Sequence, residues 1–526
     1  MGSRHDFSGH LQWGIPDTRR GFPGHGEDAP LDLSSLSSSD HVGILSRLLD
    51  GTADAFADAL ASVGNCRRPV HLHGSSTTVD RVTGEVLSRF SSRDAPLGVL
   101  LTPCGNRRAH VCPACSRTYA RDTFELIRSG VVGGKTVPAE VASAPLLFAT
   151  FTAPSLGHVH GVRADGAKCR PRSGDRVERC PHGVRLSCNA AHADGDQVVG
   201  SPLCWDCYDW TTAVVWQWHA PELWRRTTIA LRRALAGRLG VKERALTDTC
   251  SVQFAKVAEY QARGLVHFHA LIRLDGTAGP GSPAPLDADT LADLLRGAAR
   301  TVSVSAPPVD DGGTVRVLAW GTQLDVRIVT HGPAHLRTRD ELTPEQVAGY
   351  LAKYATKDAG TTTDRSDAKP HLRRLEAECH RLADLARDRD EHRRAGVGTR
   401  SVPVDLRTGL DYYRLLGKWA HMLGFRGHFS TKSRRYSVTL GRLRRARQRY
   451  QRLVAEAARN GSQLDVRDLE TRLLADEDET TLVIGAWEYA GTGWPRPGDA
   501  ALAEASAARA REYARWRADA PARTTT

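Results

Sequence analysis

The sequence predicts an α+β protein whose antiparallel strands present histidines on one face while a later helix presents tyrosines and lysines. Three stretches carry that expectation: Glu259–Asp275 (EYQARGLVHFHALIRLD), the segment TPEQVAGYLAKYATKDAG that begins at Thr343, and a set of paired cysteines between residues 104 and 207. In the first, His267 and His269 stand two apart within a run of Leu, Val, Phe, Ala and Ile. Positions i and i+2 of a strand share a face, so both imidazoles leave one side while Val266, Phe268 and Ala270 pack beneath. The preceding SVQFAKVAEYQ reads as a partner strand with Ala262-Arg263-Gly264 as the turn, which sets Glu259 roughly opposite His267. Two neutral imidazoles and a carboxylate form a mixed N/O set suited to a divalent cation. An HxH pair alone also suits two satisfied histidines on a half-buried strand.

The second stretch reads as a helix, with Thr343 as N-cap, Pro344 at the first helical position, and Glu345 and Gln346 in the first turn. Tyr350 and Tyr354 are four apart and share a face, with Lys353 and Lys357 on the neighbouring one. A phenol stripe beside an ammonium stripe is unusual for a core-facing helix. It suits covalent chemistry on a phosphate, with phenolates as nucleophiles and lysines as charge partners.

Together, HFHAL and YLAKYATK resemble the second and third motifs of HUH endonucleases, and within that superfamily the two-tyrosine rolling-circle replication initiators. LLFATFTAP, with Phe151 and Thr152, matches the first motif, a strand ending in Phe-x-Thr or similar. CGNRRAHVCPACS and GFRGHFSTKSRRYSV look like initiators of actinobacterial plasmids and integrative elements, and the resemblance covers roughly residues 100–445. It implies an HUH sheet flanked by helices. It also implies nicking of one strand of origin DNA by metal-dependent transesterification. A Mg²⁺ or Mn²⁺ ion at His267, His269 and Glu259 would act on the scissile phosphate, and Tyr350 would form a 5′-phosphotyrosine. Lys353 and Lys357 would neutralise charge, the freed 3′-OH would prime synthesis, and Tyr354 would make the second transfer. Single- and double-stranded origin DNA, a host helicase and a polymerase are the partners so implied. A conjugative relaxase would share this chemistry, but relaxases commonly carry three clustered histidines and place the tyrosine near the N-terminus. A non-catalytic zinc protein that binds DNA would explain charge and cysteines and leave the tyrosine helix without a purpose.

Bulk properties agree with a nucleic-acid partner. The 526 residues carry a formal charge of +12 and a pI near 9.3, favouring a polyanion. No apolar run is long enough to span a bilayer, and MGSRHDFSGHLQWGIPD lacks a hydrophobic signal core, so a cytoplasmic protein without membrane contact is expected. In that compartment eleven cysteines, several in CxxC pairs, point to metal rather than disulfides.

The chain divides accordingly. Residues 1–40 are expected to be disordered, and 41–103 to hold an accessory helix and β-hairpin, with His71 and His73 structural. Residues 104–215 form a zinc-binding region that includes the first-motif strand at about 146–152. Two zinc assignments stay open. One joins Cys112/Cys115 and Cys204/Cys207 in a single site. The other gives Cys180, Cys188, Cys204 and Cys207 to one ion and groups Cys104, Cys112 and Cys115 with Cys169 or a histidine. His182 and His192 are spare candidates, and Cys66, Cys250 and Cys379 read as ordinary cysteines. Residues 216–360 form the nuclease core, in which Trp216, Trp218 and Trp224 pack on the sheet and VRVLAWGTQLDVRIV gives a strand pair. A charged, solvated helix occupies 361–400. Residues 401–455 form a basic DNA-binding region with Arg426, Lys432, Arg434 and Arg435, where Phe429, Tyr436 and Tyr450 are placed for stacking. A helical tail fills 456–526.

Overall fold

A computed structural model describes residues 36–95, 97–163, 166–172, 178–310, 313–330, 342–356, 368–396, 404–405, 408–462, 464, 469–474 and 481–519, without the side chains of 345, 352–356, 455, 458–459, 514 and 517–519. In chain order the elements are α1 (Ser38–Leu49), α2 (Ala53–Ser62), β1 (Val70–Asp80), β2 (Val86–Ser91), β3 (Leu100–Thr102), α3 (Pro113–Val132), β4 (Leu146–Phe151), α4 (Trp210–Arg238), β5 (Ser251–Tyr260) and β6 (Val266–Asp275). There follow α5 (Ala288–Thr301), β7 (Ser303–Ala306), β8 (Arg316–Ala319), β9 (Leu324–Ile328), α6 (Pro344–Thr356), α7 (Pro370–Arg394), β10 (Ser430–Lys432), α8 (Leu440–Arg459), α9 (Leu469–Leu474), β11 (Thr481–Thr492) and α10 (Asp499–Asp519). These make two compact units, one of residues 1–123 with 439–526 and one of 124–438.

In the first unit β1 is central, paired antiparallel with β11, β2 and β3. The strand β11 departs from the expected all-helical tail. Its TLVIGAWEYAGT is rich in the β-branched and aromatic residues that suit a sheet, and its partner lies some four hundred residues earlier. A buried pair joins the unit's two ends: the Arg47 guanidinium donates to Asp499 through Nε at 2.5 Å and Nη2 at 2.6 Å. His71 Nε2 lies 2.6 Å from the Gly493 carbonyl oxygen, a structural role as expected.

The second unit is built on a five-stranded antiparallel sheet ordered β10-β5-β6-β4-β9. Its two faces have different chemistry. One carries Ala149, Phe151, Ala258, Phe268, Ala270 and Ile272, which belong to a buried core shared with α4, α5 and α7. Trp216, Trp218 and Trp224 are buried in that core, as the sequence predicts. α7 also buries Leu375, Cys379, Leu382 and Ala386 there, so it is a core element rather than a solvated one. Its Arg- and Asp-rich remainder hides an apolar stripe at helical spacing. The expected pairing of β8 with β9 is not formed: β8 pairs with β7 and β9 with β4. The hairpin of β5 and β6 is fixed at its tip by Gln217, whose amide donates to the Gly264 carbonyl at 2.9 Å and accepts from the Val266 N–H at 2.8 Å. Gly264 takes φ +81°, and a Cβ there would lie 2.7 Å from Leu372 and Leu375. Among the described residues, no helix is long and apolar enough to cross a membrane.

Candidate active site

The other sheet face carries the expected triad. β5 and β6 pair with Glu259 opposite His267 and Val257 opposite His269, so strict two-residue alternation puts the carboxylate and both imidazoles on one side. His267 Nε2 lies 3.0 Å from Glu259 Oε2 and 3.1 Å from His269 Nε2, and His269 Nε2 lies 3.5 Å from Glu259 Oε2. Donors ~2.0–2.1 Å from a common ion, at octahedral or tetrahedral angles, stand ~2.8–3.4 Å apart, so three atoms 3.0–3.5 Å apart come close to one face of a cation's coordination shell. Burial pushes the His269 pKa below its ordinary value and so favours the neutral, ligating imidazole. Its second nitrogen, Nδ1, lies 3.0 Å from Oγ1 of Thr150 on β4, directly across the ladder. An Nδ1–H donated to that hydroxyl turns the Nε2 lone pair toward the site.

The first-motif residues separate on inspection. Phe151 points to the core, with its ring 5.6 Å from Trp224 and 5.2 Å from Trp320. Thr152 lies beyond the end of β4, and the residue that touches the triad is Thr150. Phe148, two residues earlier, lies parallel to His269 at 5.7 Å. Sequence reasoning missed both, although the alternation that selects His267 and His269 also selects Phe148 and Thr150 once β4 is registered against β6.

α6 starts as the sequence dictates. Thr343 Oγ1 accepts from the Gln346 N–H at 3.1 Å, and the Gln346 side chain accepts from the Thr343 N–H at 3.0 Å, a reciprocal capping box. Val347, Ala348 and Leu351 are buried, while Tyr350 is 40% exposed. The Tyr350 ring meets His269 edge-on at 5.2 Å and Phe148 at 5.6 Å. The phenol is therefore beside the triad and open to solvent. The side chains of Lys353 and Tyr354 lie outside the described residues, and so does Lys357 altogether.

The four DNA-contact candidates divide. Arg434 and Arg435 are exposed. Arg426 instead covers the Trp218 ring at 4.3 Å, and Lys432 donates to the carbonyls of Ser433, Arg434 and Ser437 at 2.8–3.4 Å. Burial lowers the Lys432 pKa to about 8. Phe429 and Tyr436 are buried, so neither is placed to stack on a base.

Nine of the cysteines fall into three groups, one all-cysteine and two completed by histidines, each with its ligand atoms within 4.8 Å of one another. Cys66, Cys104, Cys112 and Cys115 make one, in the first unit. Cys66 thus supplies the fourth member that the sequence reading sought in Cys169 or a histidine. In the second unit His160, Cys169, Cys188 and His192 make another, and Cys180, His182, Cys204 and Cys207 a third. The single site joining Cys112/Cys115 to Cys204/Cys207 is not formed. The second assignment holds for Cys104, Cys112 and Cys115 and for Cys180, Cys204 and Cys207, with the spare candidate His182 in place of Cys188, which stands with His192 in the other group. Cys250 and Cys379 are plain buried cysteines.

Among known proteins, the chain matches the family described as RepSA, replication initiator protein, pSAM2, over residues 52–508. A curated protein of Streptomyces ambofaciens named replication initiator protein is 40% identical over 464 residues, covering 85% of this chain and 88% of that relative. No solved structure matches. This chain belongs to that replication initiator protein family.

Proposed function

We propose that this replication initiator is an HUH-type endonuclease of the rolling-circle kind that nicks one strand of its origin by transesterification. The observation that carries the reading is Tyr350 standing edge-on to His269 beside a triad whose ligand atoms are 3.0–3.5 Å apart. Glu259, His267 and His269 would hold a Mg²⁺ or Mn²⁺ ion, which when bound polarises the scissile phosphate and stabilises the departing 3′ oxygen. Tyr350 Oη gives up its proton to solvent and attacks the phosphorus, the P–O3′ bond breaks, and the 3′ oxygen leaves and takes up a proton from solvent to become the hydroxyl that primes synthesis. A phenol ionises near ~10, so attack at neutral pH needs positive charge close by, a role that suits Lys353 and Lys357, three and seven residues after Tyr350 in the sequence. Tyr354, one turn further on, serves as acceptor in the second transfer. The three Cys/His groups take Zn²⁺ in structural roles, since thiolate and imidazole sets of four are its preferred ligands. Arg434 and Arg435 contact origin phosphates, and a host helicase and polymerase extend the 3′ end.

The test is incubation of the full-length protein with single-stranded origin DNA and Mn²⁺, followed by peptide mapping of the covalent adduct. Tyr350→Phe keeps the ring contacts and should eliminate the adduct. DNA attached chiefly to Tyr354 would reverse the tyrosine assignment, and DNA attached to neither would sink the mechanism.

A further inference from the structure

The segment from His158 to Tyr208 runs from the end of β4 to the start of α4 with no α-helix or strand among its described residues, only isolated bridges such as Arg170↔Cys188 and Arg179↔Arg185. Its buried side chains include three of the cysteines (Cys169, Cys180 and Cys204), but otherwise little beyond Val199 and Tyr208. Burial on that scale does not offset the entropy of ordering so long a stretch, so another restraint must hold it. Two groups of four ligands are the available restraint.

We propose that the segment is a two-zinc module in which alternate ligand pairs hold each ion. This rests on the assignment of zinc to the Cys/His groups. Pairs follow one another along the chain as His160 and Cys169, Cys180 and His182, Cys188 and His192, then Cys204 and Cys207. The first and third pairs converge, and so do the second and fourth. In one site His192 Nε2 lies 3.2 Å from His160 Nδ1 and 3.3 Å from Cys188 Sγ. In the other His182 Nδ1 lies 3.2 Å from Cys207 Sγ and 3.7 Å from Cys204 Sγ. Ligands ~2.0–2.3 Å from a tetrahedral zinc are ~3.3–3.8 Å apart, close to these separations.

The surrounding backbone is shaped for the same purpose. The Gly161 N–H points at Cys169 Sγ at 3.3 Å, as suits a thiolate acceptor. Cys180 and Val184 close a tight turn, with the Cys180 N–H donating to the Val184 carbonyl at 2.9 Å and Gly183 at φ +74°. Asp196 Oδ2 lies 3.5 Å from His192 Nδ1, on the side of the ring away from the ligand nitrogen, where a carboxylate orients a ligating imidazole. Each ion would close a loop that contains two ligands of the other, so the two sites are interleaved along the chain.

The test uses the full-length protein with Co²⁺ in place of zinc. His192→Cys and His182→Cys each substitute one ligand for another, so each should keep the parent's metal count while sulfur-to-cobalt charge-transfer absorption rises. A second arm leaves the sequence untouched: partial withdrawal of metal by a chelator, N-ethylmaleimide labelling, and peptide mapping. Cys169 and Cys188 should become reactive as one group, and Cys180, Cys204 and Cys207 as another; release of all five together fits tight coupling, and the cobalt arm then decides. Labelling of Cys180 with Cys188 in a group that excludes Cys169 would overturn the ligand sets, as would unchanged cobalt spectra in both variants. Purified protein that binds no zinc would instead overturn the zinc assignment itself.

Discussion

Replacing Thr150 with Val tests whether the triad is a metal site, through a residue that is not itself one of its three members. Valine keeps the shape of threonine and removes one hydroxyl, the partner 3.0 Å from Nδ1 of His269. That imidazole is only 2% exposed, so water cannot readily replace the lost bond. An unsatisfied buried donor costs about 1–3 kcal/mol. Loss of a ligand's outer partner typically lowers metal affinity ~10–100-fold, or about 1.4–2.7 kcal/mol. The two estimates coincide, as they should if the bond serves mainly to orient the ligand. Nicking of a single-stranded origin oligonucleotide, measured across a Mn²⁺ titration, should therefore show half-saturation raised ~10–100-fold with activity recovered at high Mn²⁺. Thr150→Ser restores the hydroxyl and should restore the parent curve. An unchanged half-saturation in Thr150→Val would refute the argument, and a loss equal at every Mn²⁺ concentration would show that Thr150 acts on something other than metal binding.

Two further predictions concern the scaffold. Arg273 is fully buried, donates to Asp275 at 2.8 and 2.9 Å and to the carbonyls of Gly130 and Tyr436, so Arg273→Ala leaves Asp275 as an unpaired buried charge and should cost about 3–5 kcal/mol in denaturant unfolding; a loss below ~1 kcal/mol would show that water reaches the site. His219 is buried against Tyr412, and burial lowers its pKa from 6.5 to about 4, so the folded state favours the neutral ring. Its contribution is whole above pH 6.5 and erodes as pH falls toward 4, reaching about 2 kcal/mol of lost stability at pH 5. His219→Phe should flatten the stability difference between pH 7.5 and pH 5 by about that amount, and an unaltered pH dependence would place the titration elsewhere.

Local periodicity made much of the sheet legible. Alternation in VHFHALIRLD fixed the face of His267 and His269, and the three-residue turn Ala262-Arg263-Gly264, closed by the Gln261 N–H donating to the Leu265 carbonyl at 2.9 Å, fixed Glu259 opposite them. Capping chemistry placed the start of α6 at Thr343. What stayed hidden depends on register between distant strands. Thr150 acquires its role only because β4 pairs with β6, and β11 is a strand only because β1 accepts it. The cysteine groups were hidden for the same reason. CxxC spacing identifies a knuckle but not its partner, and Cys66 and Cys169, outside any knuckle, are chosen by the fold alone.

The division of the candidate site between sheet and helix has a mechanistic consequence. Metal ligands must be held to within ~0.5 Å, and Glu259, His267 and His269 are carried by two paired strands, clamped at their tip by Gln217 and backed by a buried core. The proposed nucleophile, Tyr350, would have the opposite requirement. In the proposed cycle it would have to make way for a second acceptor once joined to DNA, and Tyr354 stands four residues, ~6 Å of helical rise, further along α6. A helix that carried ligands as well would disturb the metal each time the acceptors exchanged. Under the proposed mechanism, keeping Glu259, His267 and His269 on β5 and β6 and both tyrosines on α6 would let the helix shift or rotate while the coordination geometry stays fixed.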